Sequence, residues 1–333
     1  MSGTAFVTGA SGFLGRPLVA ALLARGRTVV ALCRRPESLA DLRHPELRIA
    51  AGDLRDPESW TPLLSGAGSV FHLAGVRNHP RVRRREMEAV NVEATLALAR
   101  RAGEAGIARF VHVATALIHG PSEAGEPRTE DDGFDPAPSL YARSKIEAVS
   151  GLRALAGEGV PVIVVSPSIV FGPDHPSHPN RVTSEIRRLL KGGPRVWVAG
   201  GRQERDLVFV DDVVDGLLAA EERGVVGEEY LLTGEVVSPR ELAGQVLALA
   251  AARGVATSRL ALSLSGGAAL AAAEILDRLR GHEAGGGYAT AIRNLLREWR
   301  FSSARAKQVL GYRPRSLAAG VRATVDAWFK EGI

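Results

Sequence analysis

Thr8-Gly9-Ala10-Ser11-Gly12-Phe13-Leu14-Gly15 follows the apolar run Ala5–Thr8 directly and opens the amphipathic stretch Leu14–Arg25. Three glycines at three-residue spacing, set between a strand and a helix, let the backbone turn tightly and approach a bulky phosphate. The free N–H groups and dipole of the following helix attract its charge. The bland alternative is a strand-to-helix turn with no ligand. Its position at the head of a βαβ unit favours a dinucleotide pyrophosphate instead.

Outward from this turn, Thr28–Leu32, Leu47–Ala51, Ser69–Leu73, Arg109–Thr115 and Val160–Ser166 are apolar runs separated by helix-length segments. The rhythm predicts an α/β fold, a Rossmann doubly wound parallel sheet covered on both faces. After Gly172 it gives way to a Pro-rich loop, a helix near Thr183–Lys191, short strands at Arg195–Ala199 and Leu207–Val210, and several helices. The expected division is an NAD(P)-binding Rossmann domain over residues 1–172 and a smaller mixed α/β C-terminal substrate domain over 173–333, with some elements interleaved. Gly120–Ser139, acidic and rich in Pro and Gly, reads as a long loop of the kind that carries function. Leu260–Leu276 is apolar, but Ser263, Ser265, Gly266, Gly267 and Glu274 break it up too much for a bilayer span. A buried helix is expected there, with membrane contact the lesser alternative. Gly285–Gly287 reads as a hinge.

The chain has 333 residues, 45% hydrophobic and 24% charged, which supplies a large core and rules out wholesale disorder. Cys33 is the sole cysteine, so neither an internal disulfide framework nor a multi-cysteine metal site is available, and no metal is expected. A reducing cytoplasm fits, and the N-terminus does not resemble a secretory signal. A net charge of +5, from 42 basic and 37 acidic residues, is too thin to argue for nucleic acid. The basic run Arg81–Arg85 leads into an acidic helical stretch and reads as a solvated face. The expected partner is a small-molecule substrate.

The end of the second strand bears on which dinucleotide binds. It reads Ala31-Leu32-Cys33-Arg34-Arg35-Pro36, with no carboxylate to accept from a free ribose 2′-hydroxyl. A guanidinium from Arg34 or Arg35 suits a 2′-phosphate, so NADP(H) is expected over NAD(H), which stays possible. Solvated loop charges are the alternative. Asp53-Leu54 follows the third strand, where Asp53 either accepts from an adenine amino group or caps a helix ahead of Pro57.

Tyr141-Ala142-Arg143-Ser144-Lys145 sets a phenol and an ammonium four residues apart, on one face of a helix. A phenol works as acid or base near neutrality when nearby positive charge favours the phenolate, and Lys145 or an oxidised nicotinamide can supply that charge. An exposed helical pair is the alternative. The strand ending at Thr115 brings a hydroxyl to the carboxyl edge of the sheet, where it can donate to a substrate carbonyl while Tyr141 moves the proton.

Together, Gly9/Gly12/Gly15, Asp53-Leu54, His72-Leu73-Ala74-Gly75, Asn91-Val92, Thr115, Tyr141/Lys145 and Pro167-Ser168-Ile169-Val170-Phe171-Gly172-Pro173 resemble the extended short-chain dehydrogenase/reductase family, of NAD(P)-dependent epimerase/dehydratase type. Arg205–Val213, Tyr230–Gly234 and Ala306–Pro314 resemble its C-terminal signatures. The resemblance implies an NAD(P)-dependent oxidoreductase, with hydride transfer at nicotinamide C4, Tyr141 as general acid/base and Lys145 also holding the nicotinamide ribose. It further implies cofactor contacts from Gly9, Ser11, Gly12, Phe13, Leu14 and Gly15 in the turn, and from Leu54, Leu73, Ala74, Pro167 and Ile169 along the sheet edge. Thr115 stands where the family most often has serine, His119 where it often has tyrosine, and Gly75 where it often has alanine. His119 is expected to pack near the site.

Ala116 and Leu117 follow Thr115 where related sugar-nucleotide 4,6-dehydratases carry an Asp-Glu pair; two apolar side chains cannot transfer protons, so that chemistry is disfavoured. Arg205 resembles an arginine that grips a substrate diphosphate in nucleotide-sugar enzymes, and a structural ion pair with Asp206, Asp211 or Asp212 is its alternative. Ala116 and Arg205 are the candidate substrate contacts. Leu270–Arg315 is similar to reductases of the dihydroflavonol-reductase and 3β-hydroxysteroid-dehydrogenase type, and its apolar character suits an uncharged substrate. The reading is an NADPH-dependent reductase of a ketone or aldehyde, or a reversible dehydrogenase of a secondary alcohol. A nucleotide-sugar epimerase with tightly bound NAD and a non-catalytic cofactor-binding sensor are the alternatives. The resemblance also implies a homodimer built on helices near Arg84–Arg101 and Leu140–Leu155.

Overall fold

In the computed structural model, which describes residues 3–77, 82–123, 125–135, 139–174, 180–258 and 260–330, the apolar runs of the first half become parallel strands. These are β1 (Thr4–Thr8), β2 (Val29–Cys33), β3 (Leu47–Ala51), β4 (Ala67–His72), β5 (Arg109–Val113) and β6 (Val162–Pro167). Then follow β7 (Ile169–Phe171), β8 (Arg195–Val198), β9 (Arg205–Phe209), β10 (Glu229–Leu232), β11 (Glu235–Val237) and β12 (Ala261–Leu264). The helices are α1 (Gly15–Ala24), α2 (Arg84–Met87), α3 (Ala94–Glu104), α4 (Leu140–Gly157) and α5 (Arg181–Leu190). Beyond them lie α6 (Val210–Arg223), α7 (Pro239–Ala252), α8 (Gly266–Arg280), α9 (Tyr288–Leu295) and α10 (Leu317–Lys330).

The main sheet runs β10-β6-β5-β4-β1-β2-β3, every pair parallel. Because strands alternate their side chains, neighbouring residues feed opposite layers. Val7, Phe71, Val111 and Ile163 pack under Leu18 and Leu22 of α1 and Val213 and Leu217 of α6. Phe6, Val70, Phe110 and Val164 pack under Leu98 of α3 and Val149 and Leu152 of α4. Each such side chain, fully withdrawn from water, contributes roughly 1.5–3 kcal/mol. This two-faced burial is why the strands read as continuous apolar runs. The order reverses between β1 and β4, and the crevice that doubly wound sheets offer to ligands lies outside their C-terminal ends.

A second body sits over that edge. β7 and β9 pair in parallel, β11 joins β9 antiparallel, and Phe171, Phe209, Leu189, Val246, Val325 and Trp328 share its core. The start of α7 is fixed by a capping box, Ser238 Oγ accepting from Glu241 N at 3.2 Å and Glu241 Oε2 accepting from Ser238 N at 2.8 Å. The bodies interleave: β10 returns to the main sheet from beyond residue 173, while β7 leaves the first segment to join β9.

Two sequence expectations are corrected. Leu260–Leu276 is not a buried helix: residues 261–264 pair with β8 as β12, Ser265 caps α8 by accepting from Ala268 N, and Ala273 is the buried residue of α8. One side of α8 packs on α9, and its remaining apolar side chains face outward. Gly285–Gly287 is a packed turn rather than a free hinge. A Cβ on Gly287 would lie 2.3 Å from Asp277 Oδ2, and the Asp277 carboxylate accepts from Tyr288 N and Ala289 N, fixing the start of α9. Gly120–Ser139 contains no helix or sheet strand among its described residues; 124 and 136–138 lie outside them, as does Arg81 of the basic run.

Candidate active site

The glycine turn is built by close approach. Gly9 has φ 68°, and a Cβ there would sit 2.7 Å from Ala74 N, so the ends of β1 and β4 meet only around glycine. A Cβ on Gly15 would lie 2.1 Å from Gly9 O, which requires glycine for α1 to pack onto the turn. Gly12 faces the cleft, where an added Cβ would meet Gly9 O alone, at 3.1 Å. The α1 N-terminus has no side-chain cap and no acidic residue in its first turn; Arg16 N and Leu18 N donate to Gly12 O and Leu14 O and Pro17 has no N–H, so within that turn Gly15 N faces an anion at the positive end of the helix dipole. Behind the turn, Thr8 Oγ1 bonds His72 Nδ1 at 2.7 Å and His72 Nε2 bonds Thr95 Oγ1 at 2.8 Å, a buried strut from β1 to α3. Burial, and then the charge of Lys145, hold His72 down to about 3, so it is neutral.

Ser11, Phe13, Leu14, Leu54, Leu73, Ala74, Pro167 and Ile169 all line one cleft with the glycines. Arg34 and Asp53 lie in it as well; Arg35 is exposed and outside it. Asp53 caps no helix: the residue before Pro57–Ser59 is Asp56, and the Asp53 carboxylate accepts from Arg55 N at 2.9 Å and Arg55 Nη2 at 2.6 Å. Those bonds hold it down to about 2, Arg34 adding to the effect.

Thr115, Tyr141 and Lys145 converge on the same cleft. Ser139 Oγ accepts from Ala142 N at 3.3 Å and starts α4 there, placing Tyr141 and Lys145 one turn apart. Lys145 is buried and donates to Val113 O at 3.0 Å, leaving two N–H bonds free. Burial alone lowers its ammonium to about 8. Tyr141 is pushed up to about 12 by burial, opposed by Arg77.

Asn91 was legible as part of a motif but not as a brace. It sits in a π-helical turn, Glu88–Glu93, between α2 and α3. Its Oδ1 accepts from Val76 N at 2.7 Å and its Nδ2 donates to Ser144 Oγ at 2.9 Å, while Ser144 Oγ donates to Tyr141 O at 2.8 Å. These bonds tie α4 to the segment after β4. A Cβ on Gly75 would lie 3.5 Å from Lys145 Nζ, so the missing methyl opens space beside the ammonium.

The remaining candidates part ways. Arg205 lines the cleft, where its Nη2 donates to Leu295 O at 2.8 Å. The alternative ion pair is absent among the described residues, because Asp211 and Asp212 face Arg315 and Asp206 accepts from Ser168 and Gly234. Burial, with Arg181 nearby, lowers Arg205 to about 10. Ala116 is corrected as a substrate contact: it is fully buried against Leu231, Trp299 and Phe301, while Leu117 reaches the cleft. His119 is also fully buried, its Nε2 donating to Glu229 Oε1 at 3.0 Å and its Nδ1 to Gly133 O at 2.9 Å. Glu229, which anchors it, was not singled out by the sequence.

The cleft encloses 1160 Å³, more than the several hundred Å³ that one small ligand fills. Its C-terminal walls mix the apolar side chains Leu189, Val196, Trp197, Leu207, Ile292 and Trp299 with the polar and charged Asn180, Arg181, Glu185, Arg188, Gln203, Arg205 and Asn294. Among the described residues no group of His, Cys, Asp or Glu side chains could hold a metal ion.

Residues 5–232 match the family model described as the NAD dependent epimerase/dehydratase family. The chain belongs to that family. Its members are extended short-chain dehydrogenases/reductases, so this epimerase/dehydratase-family chain is an NAD(P)-dependent enzyme on a Rossmann fold. A relative from Methylococcus capsulatus, named sterol demethylase protein B, is 34% identical over 98% of both chains. Another from Stigmatella aurantiaca, a 4-hydroxy-2-methyl-3-oxo-4-farnesyl-3,4-dihydroquinoline-1-oxide ketoreductase, is 32% identical over 68% of this chain and 67% of its own. The dTDP-glucose 4,6-dehydratase DesIV of Streptomyces venezuelae, solved with NAD bound, superposes with a TM-score of 0.76 at 27% identity, over 99% of this chain and 97% of its own.

Proposed function

We propose that this epimerase/dehydratase-family enzyme is an NADPH-dependent reductase of a ketone on a largely apolar molecule, running reversibly as a secondary-alcohol dehydrogenase. The observation that carries the reading is the aliphatic and indole part of the cleft wall, Leu189, Val196, Trp197, Leu207, Ile292 and Trp299, together with Leu117 where a dehydratase needs a proton-transferring carboxyl. The relatives named for a sterol and for ketoreduction of a farnesylated quinoline oxide point the same way. DesIV favours a nucleotide sugar, and so does Arg205, a cleft cation with no carboxylate partner among the described residues.

On this reading residues 1–172, with β10 and α6, hold the dinucleotide, and the rest of 173–333 holds the substrate. The glycine turn and open α1 N-terminus take the pyrophosphate, Asp53 takes the adenine, and Arg34 takes the 2′-phosphate. Arg35 contributes no cleft contact. Leu73, Ala74, Pro167 and Ile169 flank the nicotinamide end, and the two free N–H bonds of Lys145 reach the ribose hydroxyls. NADPH supplies the hydride when bound. Thr115 donates to the carbonyl oxygen, and Tyr141, a neutral phenol at pH 7 because burial raises it, delivers the proton to that oxygen as the carbonyl carbon is reduced. A homodimer packed through Arg84–Arg101 and Leu140–Leu155, in a reducing cytoplasm that keeps buried Cys33 free, completes the proposal. Mass measurement of the purified protein in solution tests the dimer, and a monomer throughout the micromolar range would remove it.

The test is cofactor consumption. With apolar ketones the enzyme is expected to oxidise NADPH over many turnovers, faster than NADH. Isomerisation of a UDP- or dTDP-sugar without net consumption of cofactor, with NAD retained through purification, would transfer the assignment to the epimerase reading.

A further inference from the structure

Between Leu260 and Ala273 the sequence carries no charged side chain, and the structure turns much of that stretch outward. Leu262 and Leu264 of β12 are 49% and 51% exposed, and α8 adds Ile275 at 55% and Leu279 at 79%. On α8 Ala268, Ala272, Ile275 and Leu279 recur at helical spacing, so they form one stripe rather than scattered exposures. Contiguous apolar surface of this kind marks an interaction site. It is also continuous with the cleft: Val196 of β8 pairs with Leu262, is half exposed and lines the cleft as well. The charges around it are one-sided. Glu274 is bonded to Arg293, and Asp277 to His282 and the α9 N-terminus, whereas exposed Arg278 and Arg280, the latter donating to the Tyr288 hydroxyl oxygen at 2.8 Å and so keeping its charge unpaired by a carboxylate, close the C-terminal end of the stripe. Apolar stripe and cationic end suit an anionic lipid leaflet, with the helix lying in its plane.

We propose that β12 and α8 dock this enzyme onto an anionic lipid surface, setting the Val196 edge of the cleft against the leaflet so that an apolar substrate passes directly between them. No described helix is long and apolar enough to cross a membrane, so the association is peripheral. The delivery role rests on the apolar-substrate reading above; the docking does not, and is measured without substrate.

The experiment is co-flotation of the full-length protein with phosphatidylcholine vesicles, with and without phosphatidylglycerol. Binding is expected to the anionic vesicles and to weaken with salt. The double variant Ile275→Glu/Leu279→Glu is expected to bind on the order of tenfold more weakly, and Arg278→Glu to lose most of the salt-sensitive part. Both are expected to keep the parent's melting temperature and its activity on a water-soluble ketone. Failure of the parent to bind anionic vesicles at low salt, or equal binding by the double variant, overturns the proposal. So does a parent dimer that the double variant splits without any vesicle binding, which would give the face to a second copy of the chain.

Discussion

Replacing Lys145 by Met isolates the energetic cost of a buried ammonium at the centre of the site. Burial lowers Lys145 from 10.5 to about 8. At about 1.36 kcal/mol per unit, holding it charged at pH 7 costs the fold about 3 kcal/mol. Its bond to the Val113 carbonyl returns about 1.5–3 kcal/mol of that. Near neutrality the variant is therefore expected to match or exceed the parent in stability while losing turnover. The pH dependence is sharper, because the bond energy largely cancels from it. A base whose folded pKa is depressed carries its full penalty below the folded value, and sheds it as pH rises toward the unfolded value. Parent stability relative to Lys145→Met should therefore climb by about 3 kcal/mol between pH 8 and 10.5. Urea unfolding of both proteins across that range reads the difference directly. A flat difference, or one that falls with pH, would refute the claim that desolvation governs this lysine.

Arg34→Glu should weaken NADPH by about 30-fold, equivalent to about 2 kcal/mol, and leave NADH nearly unchanged; titration of the cofactor-stripped protein shows whether the guanidinium reads the 2′-phosphate. Arg205→Met separates the two substrate readings: kcat/KM for an apolar ketone should hold within a few-fold, while binding of a nucleotide diphosphate sugar, if that is the substrate, should collapse. The His119–Glu229 pair should loosen as pH rises. His119 is raised above 6.5 by its bonds to Glu229 and Gly133 against the cost of burial, so its stabilisation is complete below 6.5 and is lost as pH climbs through the folded value. Arg153 and Glu130 also face the pair, and Glu130, itself raised, titrates from the acid side. Amide exchange over residues 125–135, corrected for its intrinsic rate, should accelerate in that window in the parent and not in His119→Phe.

The main sheet was legible because burial on both faces leaves a one-dimensional mark: six apolar runs map onto β1–β6 with ends displaced by a residue or two. β10 was not separable in the same way. Tyr230-Leu231-Leu232 is short, and its place beside β6 depends on a pairing more than sixty residues distant, Tyr230 with Val165. The glycine turn was readable because its conformation admits glycine and little else. The brace behind Tyr141 was not, since Asn91, Ser144 and Val76 meet only after α3 and α4 pack. The error over Leu260–Leu276 has a related source. Composition marks a segment as apolar, but whether anything covers it depends on neighbours elsewhere in the chain, and α9 covers just one side of α8.

Ala116 and Arg205 show why substrate was harder to read than chemistry. In the proposed mechanism the proton donor, the carbonyl-binding hydroxyl and the ribose-holding lysine have to stand at fixed spacings near one sheet edge, so Thr115, Tyr141 and Lys145 can be read from local sequence. The apolar part of the cleft wall is gathered from Leu189, Val196, Leu207, Ile292 and Trp299, residues on separate elements whose common face exists only in three dimensions. Its apolar chemistry nonetheless bears on the direction of the proposed reaction. Partial burial raises the Tyr141 phenol to about 12, and a neutral phenol beside a carbonyl is poised to give a proton rather than take one. The alcohol-oxidising direction needs the phenolate, which this environment disfavours until a cationic nicotinamide is present. On the proposed reading, the burial that suits an apolar substrate therefore also biases the reaction toward reduction.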